Sequence, residues 1–281
     1  MEDEILYERK KLPVWGTVRA TYRYIGDHLG LLILPTFLFL VLQLLAGILT
    51  FQLGASSVAW TRLSPVWGLL TAIVGFSFAV GIHRTILAGE TRGGAHFFHW
   101  DRYLWAYTKL SMAVGFAVLV LVFAALWFGR NLVLNWLTQP GKLLLLIMPA
   151  FLLATWLTSR LGLAFPAAAL GRDRVLARSW QGTRGNSLRI IATGILTLLP
   201  VMLVAWLMFL PVLTVPGLAN AGDQTRTGLF AAGALIAQAA LKALSTLILT
   251  AEVSITYRVL CAYQDLSPGN VGDDSENGVG A

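Results

Sequence analysis

The stretch from Leu29 to Leu53, LGLLILPTFLFLVLQLLAGILTFQL, contains no charged residue. A helix rises 1.5 Å per residue, so a run of this length reaches across the ~30 Å hydrocarbon core of a bilayer. Five more long, predominantly apolar stretches follow, at 66–87, 104–128, 143–170, 188–215 and 228–260. None shows the strict alternation of a membrane-spanning strand, which is also only ~10 residues long. The expected fold is therefore all-α: a polytopic transmembrane helical bundle of about six spans.

Composition points the same way. The 281 residues are 57% hydrophobic and only 12% charged, against roughly 25% charged in an ordinary soluble domain. That leaves too little polar surface to coat a water-facing globule. The net charge of +7 does not form one basic tract, which argues against a nucleic-acid partner. Cys261 is the single cysteine, so no disulfide joins two points of this chain. Residues 1–28 run acidic then basic without the pattern of a cleavable leader, so the first span is expected to be retained. Arginine outnumbers lysine, and alanine and leucine dominate. This composition is expected of a bacterial chain from a GC-rich genome, and places the protein in an inner membrane.

The basic residues also give an orientation. Arg9, Lys10, Lys11, Arg19 and Arg23 precede the first span, and Arg84, Arg92, Arg102 and Lys109 flank the second and third. Arg172, Arg174, Arg178, Arg184 and Arg189 lie between the fourth and fifth, and Arg258 closes the sixth. The opposite side holds Arg62, Arg130, Lys142 and Arg226, so the count is fifteen against four. Loops rich in Lys and Arg stay in the cytoplasm, so both termini are expected there. Three regions result: a cytoplasmic segment 1–28, a membrane domain 29–263 and a tail 264–281. The tail, rich in Gly, Asp, Ser and Asn, is expected to be disordered. Residues 12–27 interleave Val14, Trp15, Val18, Tyr22 and Ile25 with Arg19 and Arg23, which predicts an amphipathic helix at the membrane surface. Pro149, Pro166, Pro200 and Pro211 predict kinks in helices that remain continuous.

An internal match organises the chain further. Trp15 precedes Arg19 by four residues and Pro35 by twenty, and Trp180 stands in the same relation to Arg184 and Pro200. The closing helices match as His83-Arg84-x-x-Leu87-Ala88 and Tyr257-Arg258-x-x-Cys261-Ala262, with a looser middle copy over 100–170. The unit is an interfacial helix followed by a two-helix hairpin. An even number of spans per unit makes this a parallel repeat about the membrane normal.

Together, Trp15-x-x-x-Arg19, Gly81-Ile82-His83-Arg84-Thr85-Ile86-Leu87-Ala88-Gly89-Glu90, Phe165-Pro166-Ala167-Ala168-Ala169 and Ser179-Trp180-Gln181-Gly182-Thr183-Arg184-Gly185-Asn186 resemble uncharacterised six-helix bacterial inner-membrane proteins. The chain is also similar to the membrane domain attached to some glycerophosphodiester phosphodiesterases. The resemblance implies six helices and no enzymatic activity, because in those fusions the chemistry belongs to a soluble domain that has no counterpart here.

Few residues carry chemistry. Gln238, Lys242, Ser245, Leu249, Glu252 and Thr256 recur every three or four positions and share one seam of the sixth span. A charge at the bilayer centre costs about 2.5–3.5 kcal/mol, so Lys242 is expected to face the bundle interior. Arg160 lies at a depth similar to Glu252, which makes an ion pair between them the expectation. One reading of the seam is a polar path for a small transporter, with Lys242 as an anion contact; it requires a water-accessible cleft at Lys242. The other is that Arg160 and Glu252 fasten helices while Lys242 snorkels, and this structural reading is preferred. Arg172, Arg174, Arg178 and Arg184 are candidates for phospholipid headgroup contact, because a guanidinium fork holds two phosphate oxygens. His96 and His99, with Asp101 or Glu90, have the spacing of a metal pair, but the interleaved Phe97, Phe98 and Trp100 favour an interfacial anchor. No metal or cofactor is expected. His-Glu-x-x-His, phosphate-loop and Gly-x-Ser-x-Gly patterns are absent. The expected function is non-enzymatic: an inner-membrane protein that contacts lipid or supports a membrane-protein partner. A small permease is the alternative, and a membrane-embedded enzyme has the least support.

Overall fold

The computed structural model describes residues 11–53, 57–91, 94–133, 140–214 and 224–261. Its regular elements are α1 (Val14–Asp27), α2 (Leu29–Leu53), α3 (Val58–Ala88), α4 (Arg102–Val133), α5 (Pro140–Leu161), α6 (Ala164–Ala169), α7 (Val175–Gly182), α8 (Ser187–Thr214) and α9 (Gln224–Leu260), with a 3-10 turn at Gly94–Phe97. No strand occurs among the described residues. Among the described residues six stretches are long and apolar enough to cross a bilayer: Leu29–Thr50, Thr61–Ala88, Arg102–Ala124, Phe151–Ala169, Ser187–Met208 and Ala232–Leu260. The chain is an all-helical, multi-pass membrane protein. The segment 1–10 and the tail from 262 onward lie outside the described residues.

The helix ends depart from expectation in two instructive places. Helix α3 starts at Val58, eight residues before the predicted span, and runs through Pro65; hydropathy does not register a helix that continues past the apolar core. The fourth span, expected to be kinked but continuous, is broken into α5 and α6. Pro166 has no N–H to offer the carbonyl of Gly162, four residues back. That carbonyl takes the Phe165 N–H at 3.3 Å instead, and the chain turns. Pro200 and Pro211, by contrast, lie within an unbroken α8, as expected.

Helix α9 is the hub, packed against α1, α2, α3, α6 and α8. Its small residues Ala243 and Ala251, with Leu247 and Ile255, bury against Leu32, Phe39, Phe78, Ile82 and Ile86 of α2 and α3. Helix α1 lies on α8 and α9 through Thr17, Val18 and Thr21. The chain just before it is tied down, because Leu12 donates its N–H to Asn186 Oδ1 at 2.9 Å and accepts from Arg189 Nη1 at 3.0 Å. The buried residues gather at this end. In α3 the described buried residues begin at Ser77, in α4 they stop at Leu110, and in α8 at Thr197.

The repeat has a spatial counterpart. A short element precedes each hairpin: α1 before α2–α3, the 3-10 turn before α4–α5, and α7 before α8–α9. The ends of α3, α6 and α9 meet, and one apolar cluster joins Leu87, Leu170 and Cys261 with Leu163, Ala167 and Tyr257. Leu87 and Cys261 are the residues matched in sequence. The matched arginines also act alike. Arg258 donates to the carbonyl of Ile86 near the end of α3, and Arg84 donates to the carbonyl of Ala169 ending α6 at 3.1 Å. Each satisfies a helix-terminal carbonyl of the next unit, where the helix dipole favours a cation. Helix α6 itself contains no basic residue at the corresponding place.

Candidate functional site

Three polar constellations stand out among the described residues. The first is closed. Arg84 pairs with Glu90 through Nε at 2.9 Å and through Nη2, and its guanidinium lies 4.1 Å from the centroid of the Tyr103 ring. Glu90 also meets His99 Nε2 at 3.2 Å, and Ser77 donates to the His99 carbonyl at 2.7 Å. This clamp folds residues 94–101 back onto α3. His96 is exposed while His99 is buried, so the two histidines do not converge. Among the described residues no three His, Cys, Asp or Glu side chains are grouped to hold a metal ion.

The Arg84 hydrogen bond holds the Glu90 carboxyl below its ordinary value, helped by His99 and opposed by burial. The sign follows. A depressed carboxylate contributes stability above the unfolded value of about 4.3, and that contribution is lost as pH falls through the folded value. The thermal midpoint of the detergent-solubilised protein is therefore expected to drop on acidification below about pH 4. Glu90→Gln is expected to start lower at neutral pH and to lose part of that acid dependence. Equal acid sensitivity in the two proteins would refute the assignment.

The second constellation surrounds Arg160, at the end of α5. Its Nη1 donates to the Trp180 carbonyl at 3.1 Å and to Thr183 Oγ1 at 3.3 Å. The guanidinium lies 4.6 Å from the Trp180 ring centroid and 5.4 Å from that of Trp156, and the two indoles meet edge to face. Its Nε is buried and has no hydrogen-bond partner. The expected ion pair with Glu252 does not form: Arg160 turns to α7, whose Ser179 donates to the Arg160 carbonyl at 2.6 Å. No acid among the described residues pairs with it. Around it, Arg172, Arg174 and Arg184 are exposed and Arg178 is half-buried. Arg174 precedes α7 in the left-handed region, φ 50°.

The third is the α9 seam, which the fold divides. Gln238 and Lys242 are exposed, whereas Glu252 and Thr256 are buried. Glu252 is 2% exposed and accepts from Thr256 Oγ1 at 2.9 Å. Residues 243, 247, 251 and 255 of α9 face α2 and α3, and Tyr257 and Cys261 face α6. The side carrying Glu252 is thus left to α1 and α8, whose buried residues include Thr17, Thr21, Thr193 and Thr197. A continuous polar path along the seam is not present.

Sequence reasoning missed the His83 contact. His83 Nδ1 lies 2.7 Å from Ser254 Oγ, and that hydroxyl gives its own proton to the Thr250 carbonyl. His83 is therefore the donor, which satisfies a buried imidazole in the middle of the α3–α9 interface. The fold and these sites define a multi-pass helical membrane protein of three hairpins. No protein-family model, curated protein or solved structure matches the chain.

Proposed function

We propose that the protein is a non-enzymatic bacterial inner-membrane protein, with both ends in the cytoplasm, that holds anionic phospholipid headgroups at its arginine-rich rim. The observation that carries this reading is Arg160. A guanidinium is braced by two indoles and by two protein oxygens, the Trp180 carbonyl of α7 and the hydroxyl of Thr183 just after it, yet no carboxylate among the described residues balances it. A half-buried cation whose Nε is buried without an acceptor is incompletely satisfied, and a phosphate oxygen supplies both the charge and the acceptor that Nε lacks. Tryptophan pairs sit at the headgroup level of membranes for the same amphipathic reason. The fifteen-to-four distribution of basic residues supports placing this rim in the cytoplasm, beside the anionic leaflet. A lipid held there also offers a surface on which a membrane-protein partner can assemble.

The test is a thermal shift in neutral detergent with added phosphatidylglycerol or phosphatidylcholine. Binding to the native state raises the midpoint by mass action, so phosphatidylglycerol is expected to stabilise the wild type and phosphatidylcholine is not. Arg160→Gln is expected to lose most of that difference, and Arg160→Lys to retain only part, because an ammonium lacks the fork. An Arg160→Gln protein that folds and keeps the full preference for phosphatidylglycerol refutes the proposal.

A further inference from the structure

The side of α9 that carries Glu252 is closed by α1 and α8, and the side chains buried at this junction are rich in oxygen. Besides Glu252 they include Thr256 of α9, Thr17 and Thr21 of α1, and Thr193 and Thr197 of α8. The three helices pack pairwise, α1 on α8, α1 on α9 and α8 on α9. Thr193 and Thr197 continue the α8 stripe that begins with Asn186 and Ile190, and both ends of that stripe touch the α1 segment. Asn186 Oδ1 accepts from the Leu12 N–H, and the Thr197 carbonyl accepts from the Tyr22 hydroxyl. The heights agree as well. A methyl at Gly182 would meet Cys261 Sγ, so Cys261 is level with the end of α7, just before α8 begins at Ser187. At 1.5 Å per residue Glu252 stands about 13 Å along α9 from Cys261, and Thr193 and Thr197 stand about 9 and 15 Å along α8 from Ser187.

These hydroxyls are turned the wrong way for a bare carboxylate. Thr17 gives its proton to the Pro13 carbonyl at 2.9 Å, Thr21 to that of Thr17 at 2.9 Å and Thr193 to that of Arg189 at 2.7 Å. Each then offers its neighbours only lone pairs. Among the described residues the donor to Glu252 is Thr256, at 2.9 Å, while Thr197 Oγ1 is buried with no hydrogen-bond partner. No counter-charge faces the carboxylate from the helices packed on it. On α1, Arg19 and Arg23 are exposed and Tyr22 is spent on the Thr197 carbonyl. On α8, Arg189 holds the Leu12 carbonyl. On α3, His83 and Arg84 are engaged with Ser254 and Glu90, and Arg258 of α9 itself serves the Ile86 carbonyl. Helices α2 and α6 carry no charged residue. A buried charge is paired or coordinates a metal.

A proton bridges two oxygens, whereas this junction gathers several whose own protons are committed elsewhere. Hard cations take such oxygen ligands, and one carboxylate balances one positive charge, so a divalent ion would leave buried charge uncompensated. We propose that the α1–α8–α9 junction is a sodium site, in which the Glu252 carboxylate and the Thr197 hydroxyl oxygen hold the ion and the threonines around them offer further lone pairs. The ion ties α1 to the α8–α9 hairpin, and a proton on Glu252 competes with it. The site is apart from Arg160 and its test contains no anionic lipid, so the two readings stand or fall separately.

The experiment compares sodium chloride with choline chloride at equal ionic strength, using the full chain in neutral detergent. At pH 8.5 sodium is expected to raise the thermal midpoint over choline by about 3 °C or more, because binding favours the native state by mass action. At pH 5.5 the difference is expected to shrink as protons compete. Glu252→Gln is expected to abolish it, and Glu252→Asp to keep part of it. Thr197→Val, which keeps the shape and removes one oxygen, is expected to raise the half-saturating sodium concentration about tenfold. Equilibrium dialysis of the wild type against radioactive sodium, which needs no variant to fold, is expected to find one ion per chain that acid displaces. Equal midpoints in sodium and choline at pH 8.5, with no ion retained on dialysis, make Glu252 a plain buried acid and overturn the site. A sodium effect undiminished in a folded Glu252→Gln protein overturns it too.

Discussion

Replacing Gly81 with alanine is expected to lower the thermal midpoint in detergent by on the order of 5 °C, whereas Gly68→Ala on the same helix leaves it unchanged or raises it. A methyl at Gly81 would lie 2.5 Å from the Phe97 carbonyl oxygen and 2.6 Å from the Phe97 ring. The nearer atom is backbone and cannot rotate away. It is also held, because His99 Nδ1 contacts the same carbonyl at 3.0 Å. Relief requires the 94–101 segment to lift from α3, which also separates Ser77 from His99. Overpacking of this kind costs about 1–3 kcal/mol. Nothing lies within 4 Å of a methyl placed at Gly68, so there alanine only improves helix propensity, by up to about 1 kcal/mol. Because both changes add the same atom to the same helix, equal midpoints for the two variants would contradict the packing described for Gly81.

Arg84→Ala is expected to be the most damaging single change in the polar network, at about 2–3 kcal/mol. One guanidinium holds the Glu90 carboxylate, the Ala169 carbonyl and the Tyr103 ring together, so α3, α6 and the start of α4 all lose a tie. The pair is shielded, with side-chain exposures of 14% and 19%, so solvent screening discounts it only modestly. Arg84→Lys keeps the charge but cannot reach three partners at once, and is expected to recover only part of the loss. In a double-mutant cycle Glu90→Gln should add little on top of Arg84→Ala. Limited proteolysis between α3 and α4 checks the structural consequence. An Arg84→Ala protein with wild-type stability and an uncut 90–101 segment would show that the clamp is incidental.

Much of the architecture was legible in the residues themselves. The span 29–53 and helix α2 coincide because an uncharged run has one physical solution in lipid. The doublets His83-Arg84 and Tyr257-Arg258 were visible as a match, and their arginines act on neighbouring helix ends. What they touch was not legible, since a carbonyl acceptor leaves no mark in the side-chain alphabet. The Arg160–Glu252 pairing failed for a related reason. Depth along the chain placed the two at one height, but only the break at Gly162, caused by Pro166, decides that Arg160 turns towards α7. Likewise the seam through Gln238, Lys242, Glu252 and Thr256 follows helical periodicity correctly. Whether each half is covered depends on α1 and α8, which periodicity along α9 does not encode.

The crowding of buried residues towards the α1–α6–α7 end has a mechanical consequence. A bundle knitted at its base and loosely joined above behaves like a tripod whose legs can change their lean while the joint stays intact. Bilayers of different thickness would then be met by tilting spans about that base, at little cost to the cluster around Leu87, Leu170 and Cys261.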